Sequence, residues 1–263
     1  MDVIELSPRL HLLRFPVGQA YLWRDGEELT LIDAGAPGAG AAIADAVTAL
    51  GPKPSALRRI VLTHFHWDHA GAAGELAALT GAEVLAHGLD APVVRGEAEG
   101  PPPVFEDWER PIHAEALTHL PPDEPVAPGH VTELADGDVL DFGGGARIVH
   151  APGHTHGSIA VHLPRHGVLF TGDAVAAAPG TGAVMLGVLN LDRARTVASF
   201  HRLADLDTDV ACFGHGDPVL GRASAILRKA ADTCGMPGRP WRCAPPRTPR
   251  RPHRDRHSPE PSQ

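Results

Sequence analysis

A mixed α/β fold is predicted by two periodicities and one repeated arrangement in this 263-residue chain. Short apolar runs with strand character alternate with segments whose apolar residues recur at helical spacing. Loops bearing histidine or aspartate follow directly on several of those strands. Residues 10–15, 19–23 and 29–33 read as successive strands, with Asp25-Gly26 supplying the turn between the last two. Ile43, Val47 and Leu50 stand at i, i+4 and i+7, one apolar helical stripe that Gly51-Pro52 stops. Residues 57–62 predict a strand, 70–79 a helix rich in small residues, and 82–86 another strand. Residues 147–150, 167–170 and 210–213 are strand-like. Asp192 is placed to cap a helix whose Val197, Phe200, Leu203 and Leu206 share one face, and a last helix is expected over 222–231.

Composition bounds the rest. With 43% hydrophobic and 21% charged residues, residues 1–235 can bury a sizeable core as one domain. No run of about 18 apolar residues suggests a membrane span. The opening Met-Asp-Val-Ile-Glu-Leu-Ser-Pro lacks the basic start and apolar stretch of an export signal, so a cytoplasmic location is expected. Cys212, Cys234 and Cys243 are an odd set without tight spacing, which argues against a disulfide framework. Cys212 lies three residues before His215, but its apolar neighbours favour a buried small hydrophobe over a ligand. Residues 236–263 hold eight prolines and seven arginines against Asp255 and Glu260, the composition of a disordered basic tail. That tail carries +5 of the total −9, leaving −14 for residues 1–235. Between residues 88 and 129 periodicity fails, and the prolines found there suggest a lid insertion in which Phe105 and Trp108 either give apolar contact to substrate or pack against the scaffold.

The densest signal is Thr63-His64-Phe65-His66-Trp67-Asp68-His69. His64 and His66, two apart in an extended loop, leave the backbone on the same side and can reach one cation. Asp68 and His69 follow after the chain has turned and aim at a neighbouring volume, so one short loop can feed two adjacent metals. Further ligand-type pieces recur after strands: Pro152-Gly153-His154-Thr155-His156, Thr171-Gly172-Asp173 and Gly214-His215-Gly216. Glycine beside a ligand lets the backbone pass close to a crowded ion pair.

In its order His-x-His-x-Asp-His, then Gly-His, Gly-Asp and Gly-His, the chain resembles the metallo-β-lactamase-fold hydrolases, in their glyoxalase II-like and lactonase-like branch, over about residues 10–227. The resemblance implies an αββα four-layer sandwich. It further implies that His64, His66 and His154 hold one metal, that Asp68, His69 and His215 hold a second, and that Asp173 bridges them. Leu29 to Gly35 is similar to the family's strand ending in Asp-x-Gly, which gives Asp33 the role of orienting the loop or a ligand. His156 is read as a group at the rim, and His87 as one that faces the pocket.

The cofactor expected is a pair of Zn2+ ions, with iron or manganese as alternatives. Two such ions lower the pKa of a shared water, and the bridging hydroxide attacks a small ester, lactone or thioester while Asp68 holds or shuttles the proton. Activity is expected to fall on acidification as ligands protonate. A small-molecule substrate is the expected partner, no membrane is involved, and the −14 charge of residues 1–235 disfavours a nucleic acid. The oligomeric state is left open. Similarity to glyoxalase II favours a thioester, although no basic and aromatic C-terminal helical region for glutathione is evident. Lactonases of this family place a tyrosine near the metals, whereas Tyr21, the only tyrosine, lies in an early strand. An iron-dependent enzyme like the persulfide dioxygenases, and a non-catalytic metal-binding protein, are the alternatives.

Overall fold

Burial on both faces of the central strands dictates a layered structure, because each face then needs its own covering element. The computed structural model describes residues 1–234. The expected tail, residues 236–263, lies outside the described residues. In chain order the first half contains β1 (Asp2–Ser7), β2 (Leu10–Arg14), β3 (Gln19–Asp25), β4 (Glu28–Ile32), α1 (Gly40–Ala49), β5 (Leu57–Val61), α2 (Trp67–Ala70), α3 (Ala73–Thr80), β6 (Glu83–His87), α4 (Ala91–Val94), α5 (Arg110–His119) and β7 (Thr132–Leu134). The second half contains β8 (Val139–Leu140), β9 (Ala146–His150), β10 (Ile159–Leu163), β11 (Val168–Phe170), β12 (Val175–Ala177), β13 (Val184–Leu186), α6 (Arg193–Ala204), β14 (Val210–Cys212), β15 (Val219–Leu220) and α7 (Ala223–Cys234).

The strands β1 to β7 form one sheet in sequence order, antiparallel from β1 to β4 and parallel from β4 to β7. The second sheet runs β15-β14-β11-β10-β9-β8, with β11 and β14 parallel and the other pairs antiparallel. A ribbon of β12 and β13 stands apart.

Period-two alternation sorts the side chains into three cores. Leu22, Leu31, Ile60 and Val84 face α1 and α3, where they meet Ile43, Val47 and Leu76. Their strand neighbours Tyr21, Trp23, Ile32, Val61 and Leu85 point the other way and meet Ile148, Val161, Phe170 and Cys212 of the second sheet. On that sheet's outer face Val149, Ala160, Leu169 and Phe213 pack with Phe200 and Leu203 of α6 and Leu227 of α7. Helix, sheet, sheet and helix make the αββα sandwich. Cys212 is accordingly a core residue between the sheets, and burial pushes its thiol well above the ordinary value. Cys212 and Cys234 are both free thiols.

The helix expected over 70–79 is divided into α2 and α3. Ala72 leaves helical geometry to donate its N–H to the Gly35 carbonyl, 3.2 Å away, and a Cβ on Gly71 would overlap Pro37. The chain breaks there to pass beneath the loop after β4. Within residues 88–129, where periodicity fails, the structure holds α4 and α5. No residue of α5 is buried, so it has no apolar face to leave a pattern in the sequence. Asp192 caps α6 as expected, accepting from the Arg195 N–H at 3.0 Å. Among the described residues no helix is long and apolar enough to cross a membrane.

Phe170 lies in the core between the sheets, its ring 5.4 Å from that of Tyr21. Phe170→Ala should destabilise the fold by about 3–5 kcal/mol, read from urea unfolding. A loss under about 1 kcal/mol would contradict the two-sided core described for this strand.

Candidate metal centre

The seven residues singled out in the sequence come from loops that leave the carboxyl ends of four strands. Strand β5 runs into Thr63, His64 and His66, and the short helix α2 then carries Asp68 and His69. Strand β9 leads to His154, β11 to Asp173 and β14 to His215. All seven side chains meet in one place. His154 Nε2 lies 3.2 Å from His64 Nε2 and 2.9 Å from His66 Nδ1. His215 Nε2 is 3.3 Å from His69 Nε2 and 3.2 Å from an oxygen of Asp68. Asp173 stands between these sets, 3.2 Å from His215, 3.4 Å from His69 and 3.6 Å from His154.

Three overlapping groups have ligand atoms close enough to share an ion, namely His64-His66-His154, His64-His69-Asp173 and Asp68-His69-His215. The local chemistry fits a cation. Imidazole nitrogens face one another at contact distance, and the buried Asp173 Oδ1 accepts no hydrogen bond. Space is also reserved for that carboxylate, since a Cβ at Gly214 would overlap both Asp173 and His69.

Which nitrogen three of the histidines present is set on their far side. Asp33 Oδ2 lies 3.0 Å from His69 Nδ1, and the same carboxylate accepts from the Thr63 N–H and hydroxyl at 2.7 and 2.8 Å. With its hydroxyl proton given to Asp33, Thr63 Oγ1 accepts from His64 Nδ1 at 3.0 Å. His154 Nδ1 donates to the Val188 carbonyl at 3.0 Å. In each of these three rings Nδ1 carries a proton and Nε2 is the nitrogen turned to the centre. Asp33 thus touches a ligand-type histidine and the loop that carries two more.

The electrostatics divide the centre in two. Desolvation, reinforced by neighbouring imidazoles, holds His64 well below the ordinary histidine range and His66 down to about 3. Desolvation also lowers His154. Around Asp68 and Asp173 the balance reverses. Desolvation disfavours charge on His69 and His215, yet the two carboxylates override it, lifting His69 well above its ordinary value and His215 to about 10. Asp68 and Asp173 are themselves held well below the carboxylate range by those imidazoles, against their own burial.

Several supporting residues carry no motif. Gln19 Nε2 donates to the carbonyls of Phe213 and Gly216 at 2.8 and 2.6 Å, and the Tyr21 hydroxyl donates to Phe213 at 2.8 Å. The lone tyrosine therefore props the His215 loop from inside the core. Glu109, buried just ahead of α5, accepts from the Leu189 N–H at 3.2 Å, beside the carbonyl that holds His154. Polar residues in the strand run 19–23 were the available signal for the first pair; nothing local marks Glu109. Two other histidines stay outside the centre. His156 is exposed, and His87 stacks on His150 at 4.1 Å with its Nδ1 accepting from Leu89, so it does not face the ligand set.

Comparison with known proteins identifies the family. Residues 13–215 match the metallo-beta-lactamase superfamily. The chain is 32% identical over 199 residues to a hydroxyacylglutathione hydrolase of Rhodobacter capsulatus, covering 74% of this chain and 61% of that protein. It therefore spans somewhat under two thirds of that relative's length. To a probable metallo-hydrolase of Bacillus subtilis it is 28% identical over 233 residues, covering 83% of this chain and 88% of that one. Among solved structures, a metallo-beta-lactamase family protein from Thermus thermophilus superposes with a TM-score of 0.63 at 28% identity, over 87% of this chain and 78% of the other. With the matched segment covering most of its length, this chain belongs to the metallo-beta-lactamase superfamily.

Proposed function

We propose that the protein is a dinuclear metal-dependent hydrolase that cleaves a small ester, lactone or thioester. The observation that carries this reading is the meeting of His64-His66-His154 and Asp68-His69-His215 across the shared carboxylate of Asp173. His64, His66 and His154 would hold one divalent ion, Asp68, His69 and His215 the other, and Asp173 both. When bound, such a pair supplies a nucleophilic water near neutral pH and polarises the bond under attack. Zinc suits the nitrogen-rich set, and iron or manganese would also be accepted.

The chain's own groups provide orientation and proton handling. Asp33, Thr63 and the Val188 carbonyl keep three imidazoles in one tautomer. Asp68 retains 15% side-chain exposure against 8% for Asp173, so it is the carboxylate that solvent and substrate reach, and the oxygen it does not turn to His69 and His215 is free to hold a proton in transit. A thioester is the first substrate class to try, given the relative named a hydroxyacylglutathione hydrolase. The segment 88–129 serves as a cover, its half-buried Phe105 and Trp108 offering apolar contact.

Metal-loaded protein should turn over at least one member of a panel of generic thioesters, lactones and esters. His66→Ala and Asp173→Ala should each lower the rate by roughly a hundredfold or more, since losing a ligand costs more than losing an outer partner. Equal rates in parent and variants would reject metal-dependent hydrolysis.

Ion binding requires neutral imidazole. His69 and His215 hold protons at neutral pH, because Asp68 and Asp173 raise them, while His64, His66 and His154 do not. Filling the Asp68-His69-His215 group at pH 7 should therefore release protons and tighten as pH rises, whereas the three-histidine group should fill with little proton release. Calorimetry in two buffers of different ionisation enthalpy measures this, and equal release from both steps would contradict the charge division. Trp108→Ala should raise KM without a comparable fall in Tm; a lower Tm with unchanged KM would assign Trp108 to packing alone.

A further inference from the structure

Asp90 lies 1% exposed at the start of α4, outside every group of ligand atoms. It occupies a helix-capping position ahead of Ala91-Pro92, yet its carboxylate makes no cap hydrogen bond. Its oxygens turn to another loop. Oδ2 accepts from the Thr155 hydroxyl at 2.7 Å, and Oδ1 accepts from the Gly157 N–H at 2.7 Å. Thr155 is fastened further by Ser158, whose Oγ accepts the Thr155 N–H at 2.9 Å and lies 2.7 Å from its hydroxyl.

The positions of these donors matter more than their number. Thr155 follows His154 directly. The loop that must bring His154 onto the ion shared with His64 and His66 is therefore held, one residue away, by the carboxylate of Asp90. The fit leaves no slack, since a Cβ at Gly157 would stand 2.5 Å from Asp90 Oδ1. This loop meets the 63–66 loop where the Ile159 N–H donates to the Thr63 carbonyl and where His154 faces His64 and His66. The Asp68-His69-His215 group has no hydrogen bond to Asp90.

Resting on the ligand assignment proposed above, we infer that Asp90 is a positioning residue that clamps the 153–158 loop to the start of α4 and so sets the metal affinity of His64-His66-His154 selectively. A loop released from this clamp would have to be ordered by the ion itself, which lowers affinity at that group and leaves the other alone.

The test measures zinc affinity by competition with a chromophoric chelator, in a His215→Ala background where the three-histidine group is the one that remains intact. Asp90→Ala should weaken that binding by about 10–100-fold, in the range found for outer partners of metal ligands. Asp90→Asn, which keeps one accepting oxygen, should recover part of the loss. Thr155→Val conserves volume and removes one bond to the carboxylate, so it should weaken binding several-fold and add little on top of Asp90→Ala, as members of one network do. In otherwise parental protein, the affinity of the Asp68-His69-His215 group should stay unchanged in these variants. If Asp90→Ala does not fold, Thr155→Val decides. Thr155→Val affinity equal to its background, or equal losses at both groups, would overturn the clamp while leaving the hydrolase reading intact. Failure of the parent to bind zinc would overturn both.

Discussion

Crowding five imidazoles and two carboxylates into a largely buried volume is tolerable only when each polar edge has a partner. The inward edges are matched by divalent cations in the reading proposed here, and the outward edges by hydrogen bonds that this chain supplies itself. Asp33, Thr63 and the Val188 carbonyl complete that outer set for His69, His64 and His154. Without those bonds an imidazole could rotate or change tautomer and turn a proton, rather than a lone pair, toward the centre.

The sandwich exists to make that crowding reproducible. Its two sheets present strand ends at one edge, and the core between them, with Tyr21, Val61, Ile148 and Phe170, holds the edges in register. Rigid strands then place short loops, and buried polar side chains fasten those loops: Gln19 and Tyr21 hold 213–216, and Asp90 holds 153–158. Binding sites built in this way inherit their precision from the scaffold and not from the loops.

The charge distribution gives the two halves of the centre different characters. Three imidazoles without a carboxylate partner among their own set resist protonation, while two imidazoles beside Asp68 and Asp173 hold protons strongly. A pair of groups so unlike in proton affinity need not bind their ions with equal ease, although they share Asp173.

Local sequence was enough to reveal the mixed α/β character, the strands that carry the candidate ligands, the Asp192 cap and the seven residues of the centre. These signals rest on periodicity, on short-range spacing and on residue types with few other uses. The break between α2 and α3 was not legible, because it follows from contacts with Gly35 and Pro37 that lie far back in the chain. Helix α5 was invisible for the opposite reason: with no buried face, it leaves no apolar stripe. Asp90 and Glu109 look like ordinary acidic residues at helix starts, and Gln19 like a polar residue in a strand. Only the tertiary structure, by folding distant loops onto them, decided that their side chains would be buried and would hold those loops in place, since a hydrogen bond between residues 65 positions apart has no local signature.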